Sequence, residues 1–169
     1  MIPSADHIIS HLIRVGRIAG HDSDRRALYQ ATQDALGDLL GHGLFTLLTV
    51  LPGGEEVQRF WSSNEAAYPL TGRKQIGSTP WGEKVLRRHE HFVGRDAAAI
   101  RWAFADHELI GSLGLGSVIN IPVLAQGRIL GTLNLLNSEG WYDEQMAEVA
   151  KVFAAPLVHA FAQEIALVG

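Results

Sequence analysis

Gly116-Ser117-Val118-Ile119-Asn120-Ile121-Pro122-Val123-Leu124-Ala125-Gln126-Gly127-Arg128-Ile129-Leu130-Gly131-Thr132-Leu133-Asn134-Leu135-Leu136-Asn137 decides the fold. Val118 to Leu124 and Arg128 to Leu136 are aliphatic and rich in β-branched residues, as strands are. Gln126-Gly127 between them predicts a tight two-residue turn, so the pair is a hairpin and the sheet antiparallel. With Ala125 opposite Arg128, Asn120 faces Leu133 and Asn134 faces Ile119. Alternation then sets the two amides on opposite sheet faces. Both faces are otherwise apolar, so helices are expected on both sides.

Before this hairpin, Asp96 reads as the cap of a helix carrying Ile100, Phe104 and His107, ended by Gly111, Gly114 and Gly116. His91-Phe92-Val93 reads as a short strand. Ser78-Thr79-Pro80 opens a helix, a hydroxyl cap followed by proline, that runs to about His89. Residues 62–79, with Pro69, Gly72 and Gly77, show no period. Leu44 to Leu51 and Val57 to Trp61 flank Pro52-Gly53-Gly54 as a second hairpin. Two amphipathic helices lead the chain, residues 4–19 with Ser4 as the cap and Ile8, Leu12 and Val15 on the apolar face, and residues 24–40 with Leu28, Ala31, Ala35, Leu36 and Leu39. A last helix starts near Asp143, uses Met146, Val149, Phe153, Leu157 and Phe161, and is interrupted at Pro156. The crossover between the hairpins, residues 62–116, is long and aromatic, a pattern suited to a lid or pocket over a sheet.

The chain has 169 residues, 47% of them apolar, 19% charged, with a formal charge of −4. That predicts a packed core and excludes disorder. No Lys/Arg run marks a nucleic-acid partner. There is no cysteine, which removes disulfides, thiolate metal sites and thiol nucleophiles, and fits a cytoplasmic setting. No apolar stretch reaches 18 residues, so no membrane span is expected. No triad, phosphate-cradling glycine loop or carboxylate pair stands out, and no catalytic residue or cofactor is indicated. His7 and His11, spaced i, i+4, could grip a metal. Nothing nearby in the chain completes a ligand set, so they read as an exposed helix face.

From about Asp24 to Gln163 the chain resembles the GAF domain family. The likeness rests on Gly116–Val123, Gly127–Asn137 and the aromatic-then-acidic Trp141-Tyr142-Asp143-Glu144. It implies an α+β fold, PAS-related, with an antiparallel six-stranded sheet and helices on both faces. Residues 1–22 would be an N-terminal dimerisation helix, and residues 23–169 a single GAF domain. One face would pack the first and last helices, which commonly dimerise. The other face and the crossover would enclose a small-molecule pocket. The family's free-standing methionine sulfoxide reductases work through cysteine thiols, so the resemblance implies no such activity here. Of the Asn-Lys…Phe…Asp-Glu signature of cyclic-nucleotide-binding members, only Asn137 and Asp143-Glu144 match in type.

Within that frame the ligand-binding candidates are Trp81, Phe92, Trp102 and Phe104 as walls, Arg95 and Asp96 as charges, and Asn120 as a polar reader. Each has a plain alternative, core for the aromatics, solvated surface for the charges, and a bond to loop backbone for the amide. The expected function is a sensory or regulatory domain in signal transduction. It would bind a small organic ligand and act through a homodimer, formed by the terminal helices, or through a signalling partner protein. No nucleic acid or membrane is expected. The alternative is an interaction module with a vestigial pocket, suggested by the apolar surplus of Ala154–Val168 with Ile8, Leu12 and Val15.

Overall fold

The computed structural model describes residues 2–76 and 78–168. Gly77, in the stretch without period, lies outside the described residues. The elements in order are α1 (Ala5–His21), α2 (Arg25–Leu39), β1 (Leu44–Val50), β2 (Glu56–Ser62), β3 (Arg73–Gln75), α3 (Pro80–Gly82) running into a π-turn (Glu83–Arg87), β4 (Phe92–Gly94), α4 (Ala97–Ala103), α5 (His107–Ser112), β5 (Ser117–Ala125), β6 (Arg128–Asn137), α6 (Glu144–Lys151), a 3₁₀ turn (Ala155–Leu157) and α7 (Val158–Val168). The strands form one antiparallel sheet in the order β3-β2-β1-β6-β5-β4.

Short polar side chains start the helices where the sequence places them. Ser4 Oγ accepts from His7 N at 3.2 Å, Asp96 Oδ1 from Ala99 N at 2.8 Å and Asp143 Oδ1 from Met146 N at 2.9 Å. Pro156 does interrupt the C-terminal helix, which bends by 41° between α6 and α7. Three expectations change. Residues 73–75, read as irregular, form the edge strand β3. The segment after Thr79 keeps only one α-helical turn before widening into the π-turn. The helix begun at Asp96 stops at Ala103, and His107 opens a separate helix.

The largest change is in the hairpin itself. Ala125 does face Arg128, and Gln126 and Gly127 both sit at positive φ (51° and 81°), a type I′ turn. Two pairs on, the register slips, with Leu124 opposite Ile129 but Val123 opposite Gly131. Leu130 is thus the extra residue of a β-bulge. Because side chains alternate, a one-residue slip exchanges faces. Asn120 therefore stands opposite Asn134, not Leu133, and the two amides share a face.

Both sheet faces are covered. Phe45, Leu47, Ile119, Ile121, Val123, Leu133 and Leu135 pack under Tyr29 and Leu36 of α2, Val15 of α1, and Phe153, Leu157 and Phe161 of the C-terminal segment. Leu44, Leu48, Val50, Val57, Val118 and Leu136 pack under the crossover, with Tyr68, Trp81, Val85, Leu86, Ile100 and Ile110. Most of the expected apolar surplus is absorbed here, since Val15, Leu157 and Phe161 are fully buried. Among the described residues no single helix is long and apolar enough to cross a membrane.

Candidate functional site

The crossover arches over the sheet and leaves a cavity of about 50 Å³. Its apolar wall comes from Leu44, Leu48, Val57, Ile76, Ile110 and Leu136, and its polar groups from Thr46, Arg59, Tyr68, Lys74, Trp81, Asn120 and Asn134. Phe104 closes one side. The void is small. At 10–15 Å³ per water-sized occupant, it admits roughly four non-hydrogen groups without rearrangement.

The bulge at Leu130 builds the polar floor. Thr46, Asn134 and Asn120 stand in register across β1, β6 and β5. Trp81 Nε1, from the crossover, donates to Asn120 Oδ1 at 2.9 Å, and Asn120 Nδ2 donates to Asn134 Oδ1 at 2.7 Å. Asn134 Nδ2 donates to the Thr46 carbonyl and Oγ1, both at 3.3 Å. Buried amides need partners, and this chain supplies them through an indole on the lid rather than through loop backbone.

A charged group sits at the other end of the cavity. Asp106 Oδ2 accepts from Lys74 Nζ at 2.9 Å and from the Tyr68 hydroxyl at 2.8 Å. Burial opposes ionisation of Asp106, but the Lys74 charge and these two hydrogen bonds outweigh it and hold the carboxyl below its usual range. Burial pulls the Lys74 ammonium down, against the raising effect of Asp106. Arg59 is different. It is 5% exposed, lies over the Tyr68 ring at 4.7 Å, and donates through one terminal nitrogen to the Pro69 carbonyl at 3.0 Å. Among the described residues no carboxylate hydrogen-bonds to it, Asp106 acting on it only through space, and its Nε, fully buried, has no hydrogen-bond partner. Burial draws its pKa down too.

Of the seven residues expected from the sequence, Trp81, Phe104 and Asn120 line this cavity. Phe92, Arg95, Asp96 and Trp102 lie outside it. Phe92 is buried in the apolar cluster beneath the crossover, on the sheet face of Asn120, but away from the void and against Trp102, ring centres 5.3 Å apart; Trp102 is 49% exposed. Arg95 and Asp96 are exposed, Asp96 serving as the cap of α4. All four fall in the crossover, but Phe92 stands on the edge strand β4, Arg95 and Asp96 directly follow it, and Trp102 lies on α4, all away from the void. Arg59, Tyr68, Lys74 and Asp106 were not singled out. One signal was legible, since Arg59 shares the phase of Val57 in its strand, and a charge at an inward phase is costly enough to need a reason.

A sheet of six strands, sandwiched by helices with the crossover roofing a cavity, is shared with other proteins, and the sequence agrees. The family profile described as "GAF domain" matches residues 22–162. The chain belongs to the GAF domain family. No curated protein is similar enough to match it. Among solved structures, the GAF domain of a phosphoenolpyruvate-protein phosphotransferase from Coxiella burnetii aligns at TM-score 0.75 and 19% identity, covering 96% of this chain and 99% of that one. The phycocyanobilin-bound GAF domain of a cyanobacterial phytochrome aligns at 0.71 and 18%, covering 92% and 94%. A free methionine-R-sulfoxide reductase from Neisseria meningitidis, in complex with its substrate, aligns at 0.66 and 18%, covering 97% of each. At such identities the likeness is one of fold. This GAF domain has no cysteine.

Proposed function

We propose that this GAF domain is a non-enzymatic sensory or regulatory module of the cytoplasm that binds a small organic anion, non-covalently, in the cavity under the crossover. The observation that carries this reading is Arg59. A guanidinium removed from water with no carboxylate bonded to it, and with Asp106 acting on it only at a distance, is stabilised by a bound anion. Asp106 is already engaged by Lys74 and Tyr68, so the two cations and one carboxylate leave a single positive charge facing the void. A carboxylate matches the guanidinium fork and would satisfy the orphaned Nε. The apolar wall suits a short hydrocarbon body. Trp81, Phe104 and Asn120 remain the proposed contacts from the expected set, with Asn134 beside them, whereas the positions of Phe92, Arg95, Asp96 and Trp102 favour no contact with this guest.

Occupancy would be transmitted by a shift in population. A guest that fastens Arg59 and Lys74 also fastens Tyr68, Asp106 and the start of α5, and so orders the lid. The output would pass through a homodimer or a signalling partner. The apolar side chains left outside on α1 and at the chain end support such a contact, Ile9 and Ile13 being half exposed and Leu167 69% exposed. The reading as an interaction module without a ligand draws on the same side chains.

Thermal-shift and calorimetric titration with acetate, propionate and pyruvate, against acetamide and propionamide as uncharged matches, tests the proposal. Carboxylates should raise Tm and the amides should not. Arg59→Met should abolish the rise while leaving the empty domain at least as stable as the wild type, by about 1 kcal/mol or more. Equal effects of amides and carboxylates would overturn the anion assignment. No effect of any compound, with association intact, would favour the interaction module.

A further inference from the structure

The first two helices meet at a cluster that the cavity does not involve. His7 and His11 project one turn apart from α1, with ring centres 5.0 Å apart. Asp38 projects toward them from the last turn of α2. His7 Nε2 and His11 Nε2 each lie 2.8 Å from the same carboxylate oxygen, Asp38 Oδ2. The carboxylate that sequence proximity did not provide is thus supplied by the neighbouring helix, 27 residues on from His11.

From this convergence we propose that His7, His11 and Asp38 form an interhelical site for a divalent transition-metal ion, Zn²⁺ by ligand preference. The geometry is specific. Two imidazole Nε2 atoms and one carboxylate oxygen fall within 4.8 Å of one another, and tetrahedral Zn²⁺ with bonds of 2.0–2.1 Å needs such atoms about 3.3 Å apart. Adjustment of each ligand distance by roughly an ångström or less, mainly through rotation of the half-exposed His7 and Asp38 side chains, would accommodate the ion, whose fourth position would go to water. Imidazole and carboxylate without thiolate favour Zn²⁺, Co²⁺ or Ni²⁺ over Mg²⁺ or Ca²⁺, which take oxygen ligands. A metal-ligating Nε2 must offer its lone pair, so in the bound form each ring would carry its proton on Nδ1 and Asp38 would give its oxygen to the ion.

The site would act as a clip. Of the side chains of α1 only Val15 is fully buried, while Ile8, Leu12 and Ile18 are partly covered, so this helix is the least anchored of those on its face. Joining its first half to the end of α2 would hold α1 down and fix the direction in which Ile9 and Ile13 point. The proposal is independent of what the cavity binds.

The test is zinc calorimetry and Co²⁺ absorption spectroscopy on chelator-treated protein. One ion per chain is expected, with intense Co²⁺ d–d bands of low coordination number and a rise in Tm of roughly 5–10 °C at a hundredfold excess over Kd. His11→Ala and Asp38→Asn should each weaken binding roughly tenfold or more. Asp38→His, which removes the carboxylate but restores a third ligand, should retain binding. His91→Ala, at the other exposed His–carboxylate pair with Glu144, should leave it unchanged. No saturable binding to the wild type, binding that survives both His11→Ala and Asp38→Asn, or half an ion per chain with metal-dependent dimerisation would overturn the intrachain site.

Discussion

Asn120 shows how much one side chain can carry. It takes the Trp81 indole on one side and gives to Asn134 on the other, at a position with 2% exposure. Asn120→Ala removes both contacts and strands two buried polar groups, so the domain should lose about 2–3 kcal/mol, read as a lower urea midpoint at unchanged m-value. Asp106 gives a pH signature. Its folded-state pKa lies below the ordinary carboxylate value of 3.8, so its contribution is fully present above that value and disappears as pH falls through the folded one. Wild type should therefore be more stable than Asp106→Asn at pH 7, and the gap should close below about pH 4, when unfolding is followed at both acidities. Lys74 has the opposite dependence. Its depressed pKa means that the folded state carries a penalty at neutral pH, relieved as pH rises toward the ordinary lysine value of 10.5. Anion binding should weaken over the same alkaline range, because the ammonium is then lost.

At the level of the element, the bulge in β6 decides which residues reach the cavity. Leu130 is inserted, and the next residue, Gly131, lies against β1. A Cβ there would fall 1.9 Å from the Leu48 carbonyl oxygen and 2.8 Å from the Phe161 ring. Gly131→Ala should cost about 3 kcal/mol or more, since neither a central strand nor a buried aromatic can retreat, and a thermal melt would record it as a fall of roughly 6–12 °C. Strand identity was legible in the aliphatic runs, and the turn in Gln126-Gly127. The bulge was not, because an extra residue in a strand looks like any other aliphatic residue. Without it, alternation separates Asn120 from Asn134, and the floor of the cavity cannot be foreseen. The three-residue β3 was equally hidden. Arg73-Lys74-Gln75 has no apolar alternation, and only its pairing with β2 makes it a strand.

For the whole molecule, the helical face is closed by α2, α6 and α7, and α1 lies outermost with Ile9 and Ile13 half exposed. If these form the proposed dimer contact, Ile9→Glu with Ile13→Glu should yield a monomer in sedimentation equilibrium without lowering Tm, because neither side chain belongs to the core. Leu157, apolar and on the last helical stretch, is no such probe, since it is fully buried and its replacement would unfold the domain. The sequence by itself determined the class of fold, the two hairpins, the caps at Ser4, Asp96 and Asp143, the break at Pro156 and the family, because periodicity, turn chemistry and capping act over a few residues. Only the tertiary structure decided which crossover residues face the void, that Arg59 is buried with its Nε unpartnered, and that Asp38 comes up beside His7 and His11. Those facts depend on register and on helix packing between residues far apart in the chain, where a slip of one position exchanges the two faces of a strand.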